Sequence, residues 1–145
     1  MDRVNFITLG VKDLAASKAF FRDLFGWKPT AKDSSKIAFF DMGGWILALF
    51  PREQLAEDAN CPSAEGSGFP GFTLAHNVHT KAEVTPLLAK AEKLGAKIKK
   101  PAQDVFWGGH SGYFQDLDGH FWEVAWNPFT PTKADGTLEI THENF

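Results

Sequence analysis

Glu123 is the residue of this 145-residue chain best placed to do chemistry. It lies in Phe114-Gln115-Asp116-Leu117-Asp118-Gly119-His120-Phe121-Trp122-Glu123-Val124, a strand, a tight Asp-Gly turn and a second strand with one acid inside it. Alternation along that second strand sets Glu123 with Phe121 and Ala125 on one face. Trp122, Val124 and Trp126 take the other, the face suited to packing on helices. Desolvation among apolar groups raises a carboxyl's pKa, which suits Glu123 to proton transfer, as the candidate acid/base, or to pairing with a cationic ligand. The plainer reading is a carboxyl hydrogen-bonded to polar neighbours. Tyr113 and Gln115 share one face of the partner strand and can offer a hydroxyl and an amide to a bound molecule, or simply decorate the sheet.

His110 follows Trp107-Gly108-Gly109, where glycines let a ligand approach the backbone and the indole can form a pocket wall. The alternative is a solvent-facing loop histidine. His120, beside the turn, is expected to be exposed, and His142 belongs to the tail. His76 and His79 are three apart, a spacing that a strand splits between opposite faces. This argues against a paired metal site and makes His76 a core or interface residue and His79 a loop residue near a helix start. No serine, cysteine or lysine sits in a recognisable nucleophile setting, and the glycine pairs form turns and do not open a phosphate-binding helix.

The elements that must hold these residues form a repeated pattern. Residues 4–11 alternate as a strand, with Phe6, Thr8 and Gly10 on one face and Ile7, Leu9 and Val11 on the other. Asp13 is an N-cap, Leu14, Ser17, Phe21 and Leu24 recur at helical spacing, and Gly26 suits the left-handed end. Residues 27–30 add a short strand limited by Pro29. Residues 37–41 and 45–50 form a hairpin around Met42-Gly43-Gly44. Setting Gly44 on Gly119 brings Asp41 onto Asp116 and Ala48 onto Glu123.

Residues 51–71 read as a linker, with one helical turn possible after Pro51. Residues 72–78 then begin the second copy. Its helix carries Val84, Leu87, Leu88, Ala91 and Leu94 on one face and ends at Gly95. Thr80 with Glu83 makes a capping-box pattern but leaves Pro86 inside the helix; Thr85 as cap avoids that penalty of about 3 kcal/mol. A short strand over residues 97–100 ended by Pro101, a loop over 103–109 and the Asp118-Gly119 hairpin complete the copy. The division is thus a single domain over 1–128, with module one at 1–50, the linker at 51–71 and module two at 72–128. A tail over 129–145 lies along the surface or over a second subunit.

Composition narrows the partners. Net charge is −3, with Lys and Arg scattered apart from Lys97-Ile98-Lys99-Lys100, so nucleic acid is not expected. No stretch is long enough to cross a bilayer, no basic segment leads an apolar run, and the single Cys61 has no internal disulfide partner. A cytoplasmic protein with no membrane partner is the expectation. Fourteen Phe and five Trp exceed what a small core needs and can line an apolar pocket.

The chain resembles the vicinal oxygen chelate superfamily over about residues 4–128. That group holds glyoxalase I, extradiol dioxygenases, fosfomycin-resistance enzymes and bleomycin-resistance proteins. The carriers are Leu9-Gly10-Val11-Lys12-Asp13-Leu14, Leu24-Phe25-Gly26-Trp27 and Asp116-Leu117-Asp118-Gly119-His120-Phe121-Trp122-Glu123. Leu74-Ala75-His76-Asn77-Val78, the stretch Trp107 to Phe114, and Trp126-Asn127-Pro128 look like a bacterial glyoxalase-like group without a settled reaction. The resemblance implies an α+β fold of two βαβββ modules whose curved mixed sheets form a cavity, and a homodimer. It also implies four metal-ligand positions. These fall on Phe6, Ala48, Thr73 (or Phe72, one residue earlier in register) and Glu123.

A divalent first-row ion needs several nitrogen or oxygen donors at about 2.0–2.2 Å, and a ring or methyl supplies none. No metal ligand set is therefore assigned and no cofactor is expected. The reading is a protein that binds a small apolar or cationic molecule in a metal-free aromatic cavity. Its candidate ligand-binding residues are Phe6, Thr8, Ala48, Thr73, Trp107, His110, Tyr113, Gln115 and Phe121. The alternatives are a divalent-metal lyase, isomerase or dioxygenase of the glyoxalase type with rearranged ligands, and a metal-free acid/base enzyme using Glu123.

Overall fold

The computed structural model describes residues 4–66, 68–70 and 72–141; His142 and Phe145 of the tail lie outside them. The chain divides into two compact units, residues 1–68 and 69–145.

In the first unit, β1 (Phe6–Val11) leads through Asp13 into α1 (Leu14–Phe25). The Asp13 carboxylate accepts from the Ala16 N–H at 3.0 Å, meeting a donor that the helix start leaves unpaired. Gly26, at φ +74°, closes the other end by donating to the Arg22 carbonyl at 2.8 Å. β2 (Ala38–Asp41) and β3 (Ile46–Pro51) follow, and the sheet order is β1-β3-β2, with β1 and β3 parallel. One sheet face presents Leu9, Val11, Phe40, Leu47 and Leu49, which are buried together with Phe20, Phe21 and Leu24 of α1. Each such side chain contributes about 1.5–3 kcal/mol by leaving water.

The strand expected over residues 27–30 is not formed. A single backbone bond, Thr30 N–H to Phe39 carbonyl at 2.8 Å, ties it to β2. Pro29 has no N–H to extend the ladder, and Trp27 turns back to stack on Phe25 at 4.5 Å between ring centroids. The single turn expected after Pro51 is a two-turn helix, α2 (Arg52–Asp58). It packs on β1 and β3. Gly10 makes this close approach possible, since a Cβ there would sit 3.2 Å from the Arg52 Cα.

In the second unit, β4 (Leu74–Asn77), α3 (Val84–Lys93), β5 (Lys97–Asp104), β6 (His110–Gln115) and β7 (Phe121–Trp126) give βαβββ with sheet order β4-β7-β6-β5. Thr80 and Glu83 form the helix start: the Glu83 carboxylate accepts from the Thr80 N–H at 2.7 Å and from its hydroxyl at 2.9 Å. A 3-10 turn over Lys81–Glu83 precedes α3. Pro86 thus falls within the first turn of α3, where a missing N–H costs least.

β5 runs on past Pro101 to Asp104, with register shifts between Ile98 and Lys100 and between Lys100 and Gln103. Pro101 lies in this irregular stretch of an edge strand, which needs no N–H there. Val84, Leu88 and Ala91 are buried on the helix side of this sheet with Phe114, Trp122 and Val124. Beyond β7 the tail folds back on itself through a Thr132–Leu138 bridge.

The two hairpins differ in length, which corrects the pairing of Asp41 with Asp116. Met42 donates to the Trp45 carbonyl across Gly43-Gly44, a two-residue loop with both φ values positive. Asp116 donates to the His120 carbonyl across three residues, with Gly119 at φ +88°. By register, Asp41 pairs with Ile46 and Gln115 pairs with Phe121, so Asp41 corresponds to Gln115.

Candidate functional site

The β6–β7 register sets Tyr113 opposite Glu123 and Gln115 opposite Phe121, while β4 sets Ala75 beside Glu123. These side chains share one sheet face, because residues directly opposite on paired strands point the same way. Phe114, Trp122 and Val124 take the other face and are buried. Tyr113 and Glu123 are half-buried, and Phe121 meets Phe69 edge-on at 5.5 Å between ring centroids. Gln115 donates from Nε2 to the Gly119 carbonyl at 3.2 Å, so its amide braces the turn.

The Tyr113 hydroxyl is coupled to the Glu123 carboxylate and to the Thr73 hydroxyl. Burial, then the negative charge of Glu123 and hydrogen bonding to it, hold the phenol above its ordinary range; Thr73 acts in the opposite sense. A carboxylate, a phenol and an alcohol thus meet beside two phenyl rings. Such a group can accept a cation or a hydrogen-bond donor, or pass a proton between Tyr113 and Glu123.

The first unit repeats this face without the Tyr113–Glu123 pair. Ala48 pairs with Thr8 and Phe39 as Glu123 pairs with Ala75 and Tyr113. Setting Ala48 on Glu123 therefore sets Phe39 on Tyr113 and Phe6, two residues before Thr8, on Thr73. Phe6 is 56% exposed and meets Phe39 edge-on at 6.3 Å. Thr8 is exposed and Ala48 is buried between its neighbours. The four positions where a metal-dependent relative would place donors hold a ring, a methyl, a neutral hydroxyl and one carboxylate already engaged with Tyr113. This set does not fit a divalent ion. Among the described residues, no three His, Cys, Asp or Glu side chains converge.

The remaining candidates lie apart from Tyr113 and Glu123. His110 pairs with Trp126, so alternation turns it to the helix side of the sheet. There its Nδ1 lies 2.9 Å from Asp104 Oδ1, the same oxygen that Lys81 Nζ reaches at 2.8 Å. Hydrogen bonding from Lys81, then from His110, together with the lysine's charge, holds the Asp104 carboxyl below its usual range. The space beside Gly109 is filled by Trp107, whose ring would lie 1.9 Å from a Cβ there.

His120 is half-buried where exposure was expected. Its N–H, the Asp118 N–H and the Trp122 indole N–H all donate to the buried Asp116 carboxylate, at 2.9, 3.0 and 3.0 Å, and these bonds hold the turn in. His76 is half-buried on β4, where burial pushes its imidazole pKa down, and His79 contacts the Thr132 hydroxyl. Sequence reasoning missed Phe69, which falls in a Gly/Pro-rich stretch read as linker and shows no periodicity. It also missed the Asp104–His110 contact, because the strand was ended at Pro101.

Known proteins share this architecture. The family model described as Glyoxalase/Bleomycin resistance protein/Dioxygenase superfamily matches residues 3–124. A glyoxalase-related enzyme from Fulvimarina pelagi is 38% identical with a TM-score of 0.87, covering 97% of this chain and 99% of that one. A lactoylglutathione lyase from Agrobacterium tumefaciens is 27% identical with a TM-score of 0.64, covering 88% and 95%. A mutant fosfomycin resistance protein, FosX, from Listeria monocytogenes, solved with Mn(II) and dihydroxypropylphosphonic acid, is 26% identical with a TM-score of 0.65, covering 86% and 89%. A comparison with curated proteins finds no match. With the family model spanning most of its length and the paired α+β modules beneath it, the chain belongs to the Glyoxalase/Bleomycin resistance protein/Dioxygenase superfamily.

Proposed function

We propose that this protein binds a small molecule with an apolar body and a cationic group on the sheet face of Thr73, Tyr113, Phe121 and Glu123, with Phe69 at its side. The observation that carries the reading is the pairing of Tyr113 with Glu123 beside the rings of Phe121 and Phe69. The carboxylate takes the charge, Tyr113 and Thr73 fix its position, and the rings take the apolar body and the face of the cation. The same Tyr113–Glu123 coupling supports a second reading, a metal-free enzyme in which Glu123 accepts or delivers a proton. The metal-dependent relatives speak for a third, which the donor set here does not favour.

The test is calorimetric titration with two aromatic probes of opposite charge, benzyltrimethylammonium and phenylacetate. The cation is expected to saturate, phenylacetate to show no saturation, and Glu123→Gln to weaken the cation by roughly tenfold, the cost of about 1.4 kcal/mol for losing one charged partner. Equal binding of both probes, or of the cation by wild type and Glu123→Gln, would sink the reading.

A further inference from the structure

A second recess lies in the same unit, at the strand that begins it. His76, Val78, His79 and Glu83 line it together with Gly136 and Leu138 of the folded-back tail, and its volume is about 300 Å³. That is the small end of the range of ligand cavities. We infer that this recess is a binding site for a small aliphatic ammonium compound, with Glu83 as its anionic anchor and the tail hairpin as its closing wall.

Three observations carry the inference. First, Glu83 supplies the carboxylate of the lining, and it is already immobilised: the Thr80 N–H and hydroxyl both donate to its Oε2, at 2.7 and 2.9 Å. Those bonds hold it ionised, below the usual carboxyl range, and a ligand need not order a mobile side chain to meet it. Second, His76 is half-buried in the lining. Burial favours the neutral imidazole of His76, so its ring adds no positive charge to repel an ammonium group. The nearest lysine on the helix start, Lys81, is paired with Asp104 at 2.8 Å. Third, Val78 and Leu138 give the recess an apolar side suited to a short alkyl chain.

The tail wall is a built element. The Lys133 N–H donates to the Thr137 carbonyl at 2.7 Å, the Glu139 N–H to the Pro131 carbonyl at 2.9 Å, and Thr132 contacts His79 at the recess rim. Thr130, at the root of this hairpin, is buried. The hairpin therefore rests on the protein at its base, through Thr130 and Thr132.

The experiment is amide-resolved NMR of the full chain titrated with n-butylammonium, n-butanol and butyrate. Saturable shifts at residues 76–79, 83 and 136–138, whether or not the Tyr113–Glu123 face also responds, are expected for the ammonium compound, with at least tenfold weaker binding of butanol and no saturation with butyrate. Glu83→Gln, which keeps an amide oxygen for the Thr80 N–H and so preserves the helix start, should weaken the ammonium by about tenfold. Leu138→Trp, which fills the recess while leaving the Glu83 carboxylate unsubstituted, should abolish the shifts. In Glu123→Gln they should persist, which separates this site from the Tyr113–Glu123 face. Ammonium-induced shifts found only at residues 113, 121 and 123 and not in the recess, equal response of the recess to all three probes, or unchanged recess binding by both Glu83→Gln and Leu138→Trp would overturn the inference.

Discussion

Tyr113 is the one tyrosine of the chain, so a phenol titration reads this site with no background from another ring. Its pKa stands above the ordinary value through burial and through Glu123, and Thr73 pulls it down. Two variants should therefore move it in opposite directions. Glu123→Gln removes the negative charge and lowers the titration point; Thr73→Val removes the hydroxyl that favours the phenolate and raises it. Ring-carbon NMR against pH measures both, and a common direction would refute the assigned contacts. The linkage sign follows: a raised phenol contributes fully to folding below the unfolded tyrosine value and loses that contribution as pH climbs through the folded one. At this scale the sequence was informative wherever alternation decided the matter, as with Tyr113, Gln115 and Glu123. It was silent on Phe69 and misleading on His120, because a residue next to a turn is buried or exposed according to what the turn's own carboxylate gathers in.

The fit of α3 to its sheet turns on Gly112. A Cβ there would lie 2.5 Å from Leu88 Cδ1, 2.7 Å from the Lys100 carbonyl oxygen and 3.0 Å from the Ala102 nitrogen. The glycine admits both a helix side chain and the irregular stretch of β5. Gly112→Ala should accordingly cost about 1–3 kcal/mol in urea unfolding, the usual penalty of overpacking. Adding Leu88→Ala should not restore the loss, since two of the three obstructions are backbone atoms; full recovery would place the strain in the helix alone. Element existence was legible from periodicity and caps for α1, α3 and both hairpins. What periodicity does not contain is hydrogen-bond supply. Residues 27–30 failed as a strand at Pro29, β5 passed Pro101 because an edge strand can spare that N–H, and α3 accommodated Pro86 behind a 3-10 turn. The loop lengths of the hairpins were hidden because the same Asp-x-x-Gly spacing, Asp41 to Gly44 and Asp116 to Gly119, serves a two-residue loop in one and a three-residue loop in the other.

Across the whole molecule, duplication fixes equivalent positions and divergence fills them differently. Thr73, Tyr113 and Glu123 in the second unit answer to Phe6, Phe39 and Ala48 in the first, so each of these three polar side chains has an apolar counterpart. A fold that needed both units to seat a cation would have kept oxygen or nitrogen at most of these positions; an apolar ligand with one charged end needs only one polar set. The two possibilities separate on addition of metal. A site half-filled at one hundredth of the metal concentration would stabilise the fold by about 2.7 kcal/mol. With millimolar Mn(II) or Zn(II), wild type and Glu123→Gln are expected to unfold at the same denaturant midpoint as the metal-free proteins. Saturable stabilisation of wild type that Glu123→Gln lacks would show that Glu123 still anchors an ion, with donors other than its repeat equivalents. The absence of that difference would leave charge pairing or proton transfer as the work of Glu123, which the oppositely charged probes then divide.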